Sequence, residues 1–296
     1  MSESGGQAGR WLRLAQQAQI RAVDFERSHG LTSAQFAVLA AVVSRPGSDQ
    51  RSISDTTFLA PSMLPAIVNR LDRRELIVIT RNPTDGRRVH LSPTSAAVAL
   101  MYEIAPRVVA GNTDLLARLP AGRRDRFLAA LRAVGLPGLV APSSRHHIPS
   151  PDGLRPALEI PWGLGRMARS ALRRHGRLWA AAIDSVTHLQ WLALTALAQG
   201  NDMDQRVLGG EIDVDKATAS VMVGRLAAHG LVAKSIDSWD RRRRVIKLTD
   251  RGRRLVLDLD DRARAVDEAL LEPLAKSRRG DFVRDLRQLA SGTLRG

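Results

Sequence analysis

Two short runs hold the side chains best suited to chemistry, Asp85-Gly86-Arg87-Arg88 and Asp240-Arg241-Arg242-Arg243. In each, an Arg follows an Asp by two residues, close enough on a turn for the carboxylate to orient the guanidinium. An Arg presented this way suits a narrow A·T-rich minor groove, where the potential is most negative. Either run alone reads equally well as a solvated turn with an ordinary ion pair. Its recurrence at matching points of the two halves favours phosphate or groove contact. A second set lies upstream of each run. In the later half Asp215 is placed to cap a helix whose first two turns carry Lys216, Ala217, Thr218 and Ser220, partners for base edges and phosphate or simply helix-start residues. In the earlier half the matching surface is Ser62, Met63, Ala66 and Asn69. There Pro65 is comfortable only if Ser62 caps and the helix begins a turn later. Arg70 and Arg225 could reach phosphate or lock the base of the neighbouring turn internally, and the internal role is favoured.

Catalytic signatures are missing. There is no Gly-rich phosphate loop, no nucleophile elbow and no conspicuous carboxylate pair, so no enzymatic activity is expected. The 7 His residues are scattered, and the adjacent His146-His147 pair cannot complete a metal site alone. With 0 Cys, disulfides, thiolate metal sites and thiol sensing within the chain are excluded. No metal or cofactor is expected. Trp11, Trp162, Trp179 and Trp191 fall on helices, where core packing is the first reading and a lining for a small-molecule crevice the second.

The elements that must position these residues come in two copies. At a constant offset of 155 residues, 15 of the 64 positions from 31 to 94 are identical, among them Thr32/Thr187, Gln35/Gln190, Asp49/Asp204, Arg70/Arg225, Asp85/Asp240 and Thr94/Thr249. Each copy opens with a capping box, Thr32-x-x-Gln35 or Thr187-x-x-Gln190. Apolar stripes Phe36-Leu39-Ala40-Val43 and Trp191-Leu194-Leu197-Ala198 follow. A second short helix follows Arg51 or Arg206, and a third buries Leu64, Ile67, Val68 and Leu71, or Ala219, Met222, Val223 and Leu226. Strands over 76–80 and 89–91, or 231–235 and 245–248, flank the Arg-bearing tips. Helix, helix, helix, two-stranded ribbon is the winged helix-turn-helix order. Helices over 10–28 and 94–134, and over 163–185 and 250–291, flank these cores. The expected fold is therefore mainly α with small β-wings: two winged domains plus a helical, dimerisation-type region forming an intramolecular pseudo-dimer. The copies span 1–138 and 162–296, joined by a Pro-rich linker over 139–161.

Charge points to the partner. The chain of 296 residues carries 45 basic and 30 acidic side chains, net +15. The excess divides as +8 over 1–155 (20 minus 12) and +7 over 156–296 (25 minus 18), so it is no tail. A balance of this kind suits a polyanion, double-stranded DNA ahead of an anionic membrane surface. Of the basic residues 41 are Arg, whose fork suits guanine and phosphate. No apolar run approaches the roughly 20 residues of a membrane span, and MSESGGQAGR lacks a signal-peptide stretch. A cytoplasmic, nucleoid-associated protein with no membrane partner is expected.

Leu208-Gly209-Gly210-Glu211-Ile212-Asp213-Val214-Asp215, Arg225-Leu226-x-x-x-Gly230-Leu231-Val232, the Asp240-Arg241-Arg242 tip and Leu248-Thr249-x-x-Gly252 resemble the winged-helix core of MarR-family transcriptional regulators. The first copy departs at Phe58, at Pro65, and at Glu75 where the second has Gly230. The resemblance implies homodimer-like operator binding, repression released by small aromatic or anionic ligands, and minor-groove contact by Arg87 and Arg242 with Asp85 and Asp240 orienting them. One chain would supply both winged domains as a monomeric pseudo-dimer, or as the unit of a higher oligomer, on an asymmetric pseudo-palindrome. The alternatives are a non-specific basic architectural protein and a protein-binding scaffold that has lost DNA reading.

Overall fold

The computed structural model describes residues 7–25, 29–81, 89–137, 163–199, 203–236 and 244–291. Both Arg-bearing tips, Trp162 and the Pro-rich stretch with His146 and His147 lie outside these residues. The first repeat contains α1 (Gln7–Val23), α2 (Ser33–Ser44), β1 (Ser48–Asp49), α3 (Gln50–Thr57), a 3-10 turn (Pro61–Met63), α4 (Leu64–Asp72), β2 (Ile77–Arg81), β3 (Val89–Pro93), α5 (Ser95–Leu116) and α6 (Ala121–Gly135). The second contains α7 (Gly163–Ala182), α8 (His188–Ala198), α9 (Gln205–Glu211), α10 (Lys216–Ala228), β4 (Val232–Ile236), β5 (Arg244–Leu248), α11 (Asp250–Leu271) and α12 (Lys276–Ala290). The protein is mostly helical with two small wings, the winged helix-turn-helix order written twice.

The repeated polar residues are mostly caps. Thr32 and Thr187 accept from the backbone N–H of Gln35 and Gln190, whose side chains reach back to the capping residue's own N–H. Asp49 and Asp204 start α3 and α9, taking the N–H of Ser52 and Val207. Thr94 and Thr249 cap α5 and α11, and their hydroxyls also donate to the carbonyls of Glu75 (2.8 Å) and Gly230 (2.7 Å). One Thr thus ties the wing's first strand to the helix that leaves its second. Position 75 has φ 57° and position 230 φ 66°, so both repeats use a left-handed residue before the wing.

Several expectations need correction. The stripes expected on α2 and α8 widen to burial nearly all round, over 37–43 and 191–197, because each is the central helix of its core. The single helices expected over 94–134 and 250–291 are each two. Pro120 and Pro273 supply no N–H to continue a ladder and disfavour helical geometry in the residue before them, so the chain turns between α5 and α6 and between α11 and α12. The first ribbon gains a third strand, β1, pairing Ser48 with Leu91 and Asp49 with His90. Among the described residues the second repeat has a single Met203–Ile246 bridge there.

By density of contacts the chain divides into Met1–Leu14 with Arg174–Gly296, and Ala15–Arg173. The cuts fall inside α1 and α7, not at the linker expected over 139–161. Each unit therefore consists of one repeat's core and part of the first helix of the other.

Candidate DNA-reading site

In the unit built on the second repeat, α10 is the third helix of the winged core. Ala219, Met222, Val223 and Leu226 are buried, which leaves Lys216, Ala217, Thr218 and Ser220 exposed on its first two turns. Asp215 fixes its start. One carboxylate oxygen takes the Thr218 N–H at 2.8 Å and the other the Thr218 hydroxyl at 2.9 Å. Those bonds hold the Asp215 carboxyl below the ordinary carboxylate range, so it stays charged at the positive end of the helix. The same face continues through Val221, 57% exposed, and Gly224, where an added Cβ would meet nothing within 4 Å. Val221 and Gly224 were not singled out in the sequence, although positions 217, 220, 221 and 224 follow helical spacing. The result is a shallow face of small side chains edged by Lys216 and Arg225.

Its counterpart, α4, is shorter. Ser62 does not cap it. Ser62 lies in the 3-10 turn Pro61–Met63, and no side chain caps either that turn or α4. The cause is Pro65, which cannot donate to the carbonyl of Pro61, so the chain closes three-residue turns instead: Met63 N–H to Ala60 O, and Leu64 N–H to Pro61 O. Ser62, Met63 (45% exposed), Ala66 and Asn69 all face outward, as their spacing predicts. Arg70 and Arg225 are also exposed, which corrects the internal role expected for them. Each follows a buried helical position by two and precedes the Leu that closes the core, so its side chain emerges beside the outer face.

Above these helices the ribbons end on Arg81↔Val89 and Ile236↔Arg244. Each ends in one exposed Arg, carried on opposite strands in the two repeats. These two were not singled out as contact residues in the sequence. Asp85, Arg87, Arg88, Asp240, Arg241, Arg242 and Arg243 belong to the connections that these pairs launch, beyond the described residues.

The turn before each third helix is held by the first helix of the other repeat. Arg13 of α1 donates to Ile212 O at 2.6 Å and Asp213 O at 2.8 Å, at the C-terminal end of α9. Arg10 donates to Glu211 O at 3.3 Å and pairs with its carboxylate at 3.5 Å. In the other unit Arg169 of α7 donates to Thr57 O at 3.1 Å, and the guanidinium of Arg166 lies 5.5 Å from the centre of the Phe58 ring. Cations at helix C-termini complement orphan carbonyls and the dipole. Phe58 (φ 59°) and Asp213 (φ 51°) are equivalent left-handed residues, so the aromatic substitution leaves the turn intact. These contacts reveal a correspondence shifted by one, at 156 residues: Gly9/Gly165, Arg10/Arg166, Arg13/Arg169, Ala15/Ala171. The offset of 155 hid it.

Trp179 and Trp191 pack in the second core, the former donating its indole N–H to Val186 O at 2.8 Å. The guanidinium groups of Arg10 and Arg287 lie 5.2 and 5.3 Å from the centre of the Trp11 ring. Among the described residues no three His, Asp or Glu are grouped for a metal ion, and no helix is long and apolar enough to cross a membrane.

A sequence model of the MarR family matches residues 29–88, and a second matches residues 186–243, one over each winged core. The chain belongs to the MarR family. It carries that family's domain twice and is a DNA-binding transcriptional regulator. The transcriptional repressor NicR of Pseudomonas putida is 31% identical over 102 residues, 34% of this chain and 65% of that protein. The transcriptional regulator MhqR of Bacillus subtilis is 27% identical over 108 residues, 36% of this chain and 74% of that one. The crystal structure of the PcaV regulator from Streptomyces coelicolor with its natural ligand aligns at 32% identity and a TM-score of 0.41, covering 43% of this chain and 91% of PcaV. The stretch shared with MhqR corresponds in length to about one repeat.

Proposed function

We propose that one chain acts as a repressor with two unequal DNA-reading units, residues 1–138 and 162–296 being the repeats and 139–161 their connection. The observation that carries this reading is the outward face of α10, set by the Asp215 cap and the buried Ala219, Met222, Val223 and Leu226. Lys216, Ala217, Thr218 and Ser220 meet base edges and phosphate in the major groove. Arg242 enters the adjacent minor groove with Asp240 orienting it, beside Arg241 and Arg243. The first repeat works through Ser62, Met63 and Asn69, with Asp85, Arg87 and Arg88 at its tip. Because α4 is 9 residues long and α10 is 13, the first repeat presents fewer base contacts, and the half-sites differ. A small aromatic or anionic ligand releases the DNA.

Selection of bound sequences from random DNA tests this directly. Two unlike half-sites should emerge about 34–36 Å apart, one helical turn. Arg242→Ala and Arg87→Ala should each weaken binding at physiological salt, and bulk competitor DNA should leave the specific complex standing. Recovery of no motif, or of a perfect palindrome bound by two chains, would sink the reading.

A further inference from the structure

Nothing in the fold requires the residue types found at two exposed positions of α10. Val221 stands 57% exposed, while Met222 and Val223 beside it are buried in the core. Gly224 follows almost one turn on. Its backbone is not left-handed, and an added Cβ would meet nothing within 4 Å. A helix interior disfavours Gly relative to Ala, and a β-branched side chain gains little there unless something covers it. The pair therefore presents an apolar side chain with no neighbour at 224 to screen it, on the face edged by Lys216 and Arg225.

The first repeat is built otherwise at the same two places. Ala66 stands for Val221 and Asn69 for Gly224. Asn69 is exposed; its backbone carbonyl accepts from Nε of Arg73 at 3.3 Å, and its side-chain amide meets no partner among the described residues. In the major groove the 5-methyl group of thymine is the apolar feature of a base edge, and a carboxamide pairs bidentately with the edge of adenine.

We propose that Val221 reads a thymine methyl, seated in the space that Gly224 leaves open, and that Asn69 reads an adenine from the equivalent place on α4. This inference rests on α10 and α4 being the reading helices and goes beyond their unequal lengths. Length sets how many contacts each half-site receives, whereas positions 221 with 224 and 66 with 69 set which base each demands.

The test uses the full chain and base analogues. Once selection from random DNA has given the half-sites, each thymine is replaced in turn by deoxyuridine, which lacks only the methyl group, and each adenine by 7-deazaadenine, which lacks a ring-nitrogen acceptor. Demethylation of one thymine in one half-site should weaken binding about fourfold, as burial of a single methyl group predicts. Loss of the acceptor from one adenine in the other half-site should weaken it by about fivefold or more. Val221→Ala should abolish the methyl effect and keep the acceptor effect, and Asn69→Ala should do the reverse. Gly224→Asn, which puts the first repeat's residue on α10, should turn the preference of its half-site from thymine toward adenine in a renewed selection. Neither buried face is touched, so melting temperatures should not fall. Tolerance of deoxyuridine at every thymine, or a methyl effect that survives Val221→Ala, overturns the assignment to Val221. An acceptor effect that survives Asn69→Ala overturns the assignment to Asn69. In both cases two unlike half-sites still leave α10 and α4 as the reading helices, whereas recovery of no motif removes that reading and these assignments together.

Discussion

The residue before each wing offers a clean backbone experiment, because the repeats solve one problem with different side chains. Glu75 (φ 57°) and Gly230 (φ 66°) occupy equivalent left-handed positions, and both carbonyls are bound by the Thr that caps the following helix. A side chain held in that conformation costs about 1–2 kcal/mol. Replacing it by Gly recovers this but loosens the unfolded chain by about 0.4–1 kcal/mol. The difference is a net gain of about 0.5–1 kcal/mol for Glu75→Gly. Gly230→Ala should lose a similar amount. No packing obscures it, since the nearest atom to an added Cβ at 230 is Nη1 of Arg251 at 4.0 Å. At about 2–4 °C per kcal/mol for a domain of roughly 150–250 residues, melting should rise by about 1–4 °C in the first variant and fall as much in the second. Scanning calorimetry reads both, and amide exchange shows whether each change stays in its own unit. A destabilised Glu75→Gly, or an unchanged Gly230→Ala, would refute the backbone argument.

Three further outcomes are expected. Arg13→Met removes two short charge-assisted bonds to the end of α9 and should cost about 2–3 kcal/mol; selection from random DNA should then show blurring at the half-site read by α10 and not at the other. At Gly252 an added Cβ would fall 2.1 Å from Leu231 O, so Gly252→Ala must displace backbone, and a drop of about 1–3 kcal/mol in urea unfolding is expected. Burial pushes His175 down from 6.5 to about 4. Since the unfolded chain takes up that proton first, stability present above pH 6.5 should fall by about 1.4 kcal/mol per pH unit toward pH 4 and then level off. A Phe in its place should remove that slope from a series of melting curves.

Local order was legible wherever one residue's chemistry decides it. Thr32, Thr187 and Asp215 each take a backbone N–H three residues on, as their spacing predicts, whereas Asp49, Asp204, Thr94 and Thr249, visible in the sequence only as repeated residues, turn out to make the same bond. The two third helices were legible from Leu64, Ile67, Val68 and Leu71 and from Ala219, Met222, Val223 and Leu226. The start of α4 was not, because Ser62 had two ways to relieve Pro65, and the 3-10 turn needs no side chain. The grip of Arg13 on Ile212 and of Arg169 on Thr57 was hidden for another reason. The partners lie 199 and 112 residues apart, joined by no periodicity that a single helix carries.

That separation also sets an order of assembly. The Ala15–Arg173 unit has all its parts once α7 is half made. The first turns of α1 wait longer: the N–H of Ala8 is accepted by Asp267, 259 residues downstream. At about 5–20 residues per second of synthesis, Ala8 spends roughly 13–50 s without its partner. During that interval Leu12 and Leu14, fully buried in the finished protein, have nothing of their own unit to pack against. The Met1–Leu14 segment is thus made long before its partner, and its seating reports that translation has passed the second reading helix.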